Sequence, residues 1–343
     1  MAYTTIDKPS DHFETKIWTG NGSSQDISLD FAPDWNWIKQ RSATRYHNLQ
    51  DTIRGTGLQL FSNTTSADNS DGTNITAFNS DGYSLGAGDN VNKNTSTYVG
   101  WSWKAGGSAS SNSDGNITSS VSVNTTAGFS IVSYTGTGGG KTVGHGLGVA
   151  PRVFFMKNRG SADYNWSVWH ADLATPTTAR LGLNVATAQQ NHSSYWNDGV
   201  PSATILNLGS DAGHNANGDT YIAYCFAEKK GYSKFGTYEG SGIDDGPFIY
   251  TGFAPAFVMV KCFDQGEHWN IYDNKRGSSL ALSPNLEVAD RAMDDSPAME
   301  LLSNGFKIRT SDNNLSNAAD GFIYMAFAAE PFVTSKGVPA TAK

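Results

Sequence analysis

The chain has 343 residues, 38% of them hydrophobic and 12% aromatic, with 24 basic against 32 acidic side chains and a formal charge of −8. Charge this sparse, with no basic run longer than Lys229-Lys230, argues against a nucleic-acid partner, because phosphate binding needs clustered Lys and Arg. Two cysteines, Cys225 and Cys262, are too few for a disulfide framework, and no stretch approaches the roughly eighteen apolar residues of a membrane span.

Residues 1–16 show no clear pattern and read as a tail. The opening Met1-Ala2-Tyr3-Thr4-Thr5-Ile6-Asp7-Lys8 lacks the basic segment and apolar core of a signal peptide. The chain is therefore expected to stay in the cytosol, or to leave by a route other than secretion. The sequons at Asn63 and Asn124 are what chance provides in a chain this rich in Asn, Ser and Thr.

From Ile17 a pattern begins that recurs twice. Ile17-Trp18-Thr19-Gly20-Asn21-Gly22 is a strand ending in a Gly-x-Gly turn. Ala32-Pro33 then opens the run Asp34-Trp35-Asn36-Trp37-Ile38-Lys39, whose alternation reads as a half-buried strand with one slip. Phe78 to Gly86 leads to Asn92 and the closing strand Tyr98-Val99-Gly100-Trp101-Ser102-Trp103-Lys104. This first repeat is assigned residues 17–105. The polar stretch that follows, Gly106 to Asn116, has the composition of flexible coil, so 106–127 is expected to be a linker.

The second repeat, 128–230, opens with Ile131 to Gly138, has Ala150-Pro151 before Arg152-Val153-Phe154-Phe155-Met156-Lys157, and closes on Tyr221-Ile222-Ala223-Tyr224-Cys225-Phe226. The third, 231–333, opens with Phe235 to Gly242, has Ala254-Pro255 before Ala256-Phe257-Val258-Met259-Val260-Lys261, and closes on Tyr324-Met325-Ala326-Phe327. The prolines at 33, 151 and 255 stand 118 and 104 residues apart, and the tyrosines at 98, 221 and 324 stand 123 and 103 apart. Two rulers that agree this closely define a tandem array. The short Lys230-Gly231-Tyr232 joint predicts that repeats two and three are held more firmly together than one and two. Residues 334–343 are polar and read as a loose end.

The 37 glycines gather in turn-like clusters, with Asp71-Gly72, Asp81-Gly82, Asn217-Gly218 and Asn304-Gly305 as the hairpin signals. Leu286 to Met293 is the best helical candidate, and it is only two turns long. The fold class expected is all-β: three tandem antiparallel β-sandwich modules, jelly-roll-like, each with its own core. Cys225 and Cys262 lie in apolar strands and are expected to be buried, unpaired thiols.

Tyr134-Thr135-Gly136-Thr137-Gly138, then His145-Gly146-Leu147-Gly148-Val149-Ala150-Pro151, Lys157-Asn158-Arg159 and Trp166-Ser167-Val168-Trp169 resemble a repeat of tail-fibre and other virion proteins of marine phages, notably those of cyanobacteria. Phe78-Asn79-Ser80-Asp81-Gly82-Tyr83-Ser84-Leu85-Gly86, Asn92 and Tyr98 to Gly106 carry the more specific part of that likeness. It covers the first repeat end to end, the second at its start and close, and the third in degraded form, where Phe253-Ala254-Pro255 replaces the His-Gly-Leu-Gly stretch. The resemblance implies a non-enzymatic β-sandwich in a phage particle.

The residues offer little catalytic chemistry. Thr135 to Thr142 lacks the first glycine of a phosphate-binding loop, and no helix pattern follows it. His12, His47, His145, His170, His192, His214 and His268 show no zinc spacing, so no metal or cofactor is expected. The turns at Asp68 to Gly72, Asn112 to Asn116 and Asp244 to Gly246 are explained by Asx-turns without calcium. Acids equivalent between repeats, as a glycosidase pair would need, are not seen, and no Gly-x-Ser-x-Gly elbow is present. Trp166, Trp169, Trp196 and Trp269 lie in polar surroundings and are the candidate binding residues, as exposed rings that stack on sugars or anchor a protein.

The function expected is that of a virion structural protein, a tail-fibre or adsorption-apparatus component without enzymatic activity. Its partners would be other virion proteins, further copies of itself (a trimer among the symmetries considered) and a host surface glycan or protein, with no nucleic acid and no membrane insertion. A capsid decoration protein and a carbohydrate-binding module or depolymerase are the alternatives.

Overall fold

A computed structural model describes residues 3–277, 279–292 and 297–339. Each repeat is a two-layer antiparallel sandwich. In the first, the large sheet runs Phe13–Thr19, Thr97–Trp103, Trp35–Gln40, His47–Asp51, Leu58–Phe61, Asn69–Ser70, and the small sheet runs Gln25–Ser28, Gly82–Leu85, Ile75–Asn79. The same four strands stand side by side in the other large sheets. They are the opening strand (Phe129–Thr135; Ser233–Glu239), the closing strand (Thr220–Phe226; Gly321–Pro331), the Ala-Pro strand (Val153–Asn158; Phe253–Cys262) and the strand after it (Ser167–His170; Asn270–Asp273). The small sheets pair Lys141–Gly144 with Ile205–Leu208, and Phe248–Tyr250 with Gly305–Ile308 and Met299–Leu302.

The opening of each repeat explains its glycines. A Cβ on Gly20, Gly136 or Gly240 would overlap the carbonyl oxygen of Lys93, Ala216 or Asn317, just after a single helical turn (Asp89–Asn92, Ala212–Asn215, Asn313–Ser316). The glycine two positions on has φ of +69°, +75° or +67°, a left-handed region that favours glycine. The same turn is pinned each time by an aromatic of the opening strand. Trp18 Nε1 donates to Val91 O (3.1 Å), Tyr134 OH to His214 O (2.6 Å), and Tyr238 OH to Leu315 O (2.7 Å).

Between its two sheets each repeat has a core of its own, built in the first on Ile38 and Tyr83, in the second on Phe154 and Met156, in the third on Val258 and Val260. The other face of all three large sheets points to one shared centre. Trp103, Phe226 and Phe327 occupy the same place in their closing strands, opposite Trp35, Val153 and Phe257. They meet there pairwise at ring distances of 6.2, 5.8 and 5.6 Å. Trp35 stacks on Tyr224 at 4.2 Å, and Trp101 meets Phe257 edge-on at 5.7 Å. Each module keeps the core expected of it, but the modules are not independent: the repeats close into a ring around a second, common aromatic core. That also corrects the half-buried strand expected after Pro33. All six residues of Trp35–Gln40 are buried, because the second face that would meet solvent in a free module meets the other repeats.

Four local expectations fall with it. The linker expected at 106–127 carries the strands Ser110–Asn112 and Ser119–Asn124, which extend the second large sheet. Val121 and Ile117 are the apolar anchors that the Gly/Ser composition hid, and both are buried. The tail expected at 1–16 is packed too. Ile6 and Phe13 enter the shared core, Phe13 stacking on Phe327 at 5.1 Å. The loose end after 333 is tied back, Ser335 N donating to Asp7 Oδ1 at 2.6 Å, while 340–343 lie outside the described residues. The helix expected at Leu286 to Met293 does not form. Residues 286–290 are irregular and Arg291–Ala292 pairs with Leu280–Ala281 as a short strand, Met293 lying outside the described residues. Its backbone is spent on the first repeat rather than on a helix, Glu287 O accepting from Arg45 N and Asp290 N donating to Arg41 O, each at 2.8 Å. Cys225 and Cys262 are buried and free, and burial pushes both thiols up.

Candidate functional site: the junctions between repeats

The ring is closed by contacts that each repeat hands to the next in the same sense. Tyr224 of the second repeat donates to Asp51 Oδ2 of the first (2.7 Å). Trp101 of the first, at the matching place in its closing strand, donates through Nε1 to Asp273 Oδ2 of the third (3.1 Å). Each acid holds an arginine three residues on, Arg54 Nε at 2.6 Å from Asp51 Oδ2 and Arg276 Nε at 2.6 Å from Asp273 Oδ2, all four side chains fully buried. Each arginine continues to a second acid, Arg54 to Asp68 (3.2 Å) and Arg276 to Asp290 (2.9 Å). The chain of charges then crosses the junction. Arg159 of the second repeat takes Asp68 at 2.7 Å, and Arg41 of the first takes Asp290 at 2.7 Å. Backbone bonds run the other way, Asp68 N to Arg159 O (2.9 Å) and Asp290 N to Arg41 O (2.8 Å).

At the third junction the places are the same and the chemistry is not. Gln189 N donates to Phe263 O (2.8 Å), but Phe263 stands where the others have arginine and Gln189 where they have aspartate. His170 replaces the acid and Met325 the aromatic donor; both line a cavity of about 10 Å³, the size of one water. Trp269 Nε1 to Gly182 O (2.8 Å) ties this junction, as Trp166 Nε1 to Phe61 O (2.9 Å) ties the one between repeats two and one. The expectation that repeats two and three are the most firmly joined is therefore corrected for side-chain contacts: both buried ion networks involve repeat one.

The four candidate tryptophans are not exposed. Trp166 and Trp269 are in the shared core, with 0% and 1% exposure. Trp169 (3%) and Trp196 (1%) are in the second repeat's own core, where they donate to Pro176 O (2.8 Å) and Ala179 O (2.7 Å) and pack on Phe154. Their polar sequence neighbours point elsewhere, and their indole N–H groups are spent internally. They form no binding surface.

Lys39, Lys157 and Lys261 are each the next-to-last residue of their Ala-Pro strand, and each is fully buried. Each ammonium donates to the next residue's carbonyl and to one four positions on, at Ala43, Ser161 or Gln265. Burial pushes all three down to about 8. Three such lysines latch the loops at one end of the ring. Among the described residues no group of three or more His, Cys, Asp and Glu is placed to hold a metal ion. Two of the Asp-rich turns satisfy themselves, Asp71 Oδ1 accepting from Thr73 N (2.9 Å) and Asn112 Oδ1 from Asp114 N (2.9 Å), while Asp244 accepts from Ser311 N and Asp245 pairs with Lys307 and Arg309.

A surface opening of ligand size lies where the first repeat meets the third. It is a groove of about 330 Å³ lined by Thr44, Arg45, Tyr46, Asp89, Asn90 and Glu287. Arg45 pairs with Asp89 at 3.0 Å, and its backbone N donates to Glu287 O at 2.8 Å. Tyr46 rests one side of its ring against Phe61, 4.7 Å between centroids, and keeps 38% exposure. The sequence reading missed these residues, because 44–46 and 89–90 meet only in the folded first repeat and ring closure alone brings 287 to them. The usable signal was a departure from the repeat. Tyr46-His47 stands where the other copies read Asn165-Trp166 and His268-Trp269.

The model of one protein family, described as a domain of unknown function (DUF7483), matches residues 8–331, a span that takes in the first two repeats and the third as far as Pro331. No curated protein matches the chain.

Proposed function

The chain belongs to the DUF7483 family, and we propose that it is a non-enzymatic structural protein of a virus particle, a component of the tail or adsorption apparatus. The observation that carries the reading is the ring itself: three sandwiches share one aromatic core and are cross-braced by buried ion networks. Such a block resists relative motion of its parts and presents near-equivalent loops around its circumference. Stiffness and display are what an attachment apparatus needs. The likeness of Phe78 to Gly106 and of His145 to Trp169 to phage tail-fibre repeats supports the same assignment. Packing that separate subunits would supply in a homotrimer is made here within one chain, so the proposal needs other virion proteins as partners more than it needs further copies.

The test is electron microscopy of purified phage particles carrying an epitope on the exposed Ser335 to Val338 turn. Label on the tail is the expected result. Label over the head would move the chain to capsid decoration, and label confined to the soluble lysate would overturn the proposal.

A further inference from the structure

We propose that the groove between the first and third repeats binds a short neutral saccharide. In a frame repeated three times, a feature present once is not required by the frame. Counting back from the strand after the Ala-Pro strand, Arg45-Tyr46 corresponds to Tyr164-Asn165 and Glu267-His268, and Asp89 to Ala212 and Asn313. The first and third repeats thus meet with an aromatic ring, a guanidinium and two carboxylates together, a set that neither other repeat reproduces, since the equivalent places hold Tyr164 with Asn165 and Glu267 with His268.

Those groups suit a sugar. Tyr46 is backed by Phe61 and half exposed, so an aromatic face is held ready for the C–H face of a pyranose. Around it Asp89 and Glu287 accept, Arg45 donates, and Thr44 and Asn90 do both. Adjacent sugar hydroxyls, each donor and acceptor at once, call for that mixture. About 330 Å³ is at the small end of the roughly 300–1,000 Å³ of small-molecule sites, which suits one or two rings. Charge selects against anions: Arg45 and Lys93 are both engaged with Asp89, and Glu287 adds a second carboxylate. The walls are preorganised although they come from different repeats, because Ser62 Oγ donates to Pro284 O (2.7 Å) and Arg41 pairs with Asp290 beneath them.

The inference rests on the adhesive reading for its role in the particle and deepens it by naming the ligand class. Its test uses the isolated full chain on an array of neutral oligosaccharides ending in glucose, galactose, mannose or fucose, beside sialylated, uronate-containing and sulfated ones. Binding to one or more neutral glycans is expected, weakened at least about tenfold by Tyr46→Ala and several-fold by Glu287→Gln. Tyr250→Ser, an exposed ring on the third repeat, should leave it unchanged. Unaltered thermal midpoints show that the variants fold. No neutral glycan bound, anionic glycans alone bound, or binding that survives both groove variants would overturn the site. A bound neutral glycan with no label on particles would keep this site and remove the virion reading; label on the tail with an empty array would do the reverse.

Discussion

Asp51→Ala is expected to destabilise the whole chain by about 3–5 kcal/mol, the usual cost of removing one partner from a buried ion pair. Asp51 Oδ2 accepts from Arg54 Nε (2.6 Å) and Tyr224 OH (2.7 Å), and Oδ1 from Arg54 N (2.9 Å). Without it the Arg54 guanidinium stays buried with Asp68, Leu49 O and the Tyr224 hydroxyl as partners. A loss that size is a large part of the roughly 5–15 kcal/mol that holds a typical protein together. Asp273→Ala should cost a similar amount, since Arg276 is held in the same way. His170→Ala, at the junction without the network, should cost less. Urea melts with unchanged slope give the numbers. An Asp51→Ala protein within about 1 kcal/mol of the parent would mean that the junction is not held by this pair. Replacing Asp51 and Arg54 together by apolar residues should recover most of the loss, because no charge is then left stranded.

Mild acid is expected to have an effect of the same order. Burial holds His47 and His214 well below the ordinary histidine value and His170 down to about 4. Lys39 and Arg276 reinforce this at His47, and Arg180 at His214, where Asp211 lies 3.7 Å away; at His170 Asp172 opposes it and Arg152 adds to it. The folded chain therefore binds fewer protons than the unfolded chain between pH 6.5 and the depressed values. Stability is complete above about 6.5 and falls as pH drops through that window. Three such groups cost on the order of 5 kcal/mol by pH 5. Asp34, which burial pushes up, works in the opposite direction, but only near the carboxylate range. Urea midpoints that drop steeply from pH 7 to 5 are expected, with a shallower fall in His214→Asn. A flat profile over that range would contradict the burial of neutral histidines.

What was legible in the sequence was what each repeat needs for itself. The Gly-x-Gly turns, the Ala-Pro strands and the closing aromatics are local requirements of one sandwich, and their spacing marked three copies. Ring closure was not legible, since nothing in Trp35 or Phe226 alone says that its face meets another repeat rather than a second sheet. Trp166 and Trp269 were misjudged for that reason: polar neighbours such as Asn165 and Asn270 suggested exposure, while the covering surface came from Phe61 and Gly182, some 105 and 87 residues away. The pair Asp51-x-x-Arg54 and Asp273-x-x-Arg276 was visible in the sequence as a repeated spacing, yet its meaning depends on Asp68 and Asp290 further along the same repeats and on Arg159 and Arg41, which meet them across the junction.

Scanning calorimetry of the full chain tests most directly whether the three repeats are one body. A shared core with two buried charge networks predicts a single transition whose calorimetric and van't Hoff enthalpies agree. Three separable transitions, or a fragment of residues 128–230 that melts alone at the midpoint of the full chain, would contradict it.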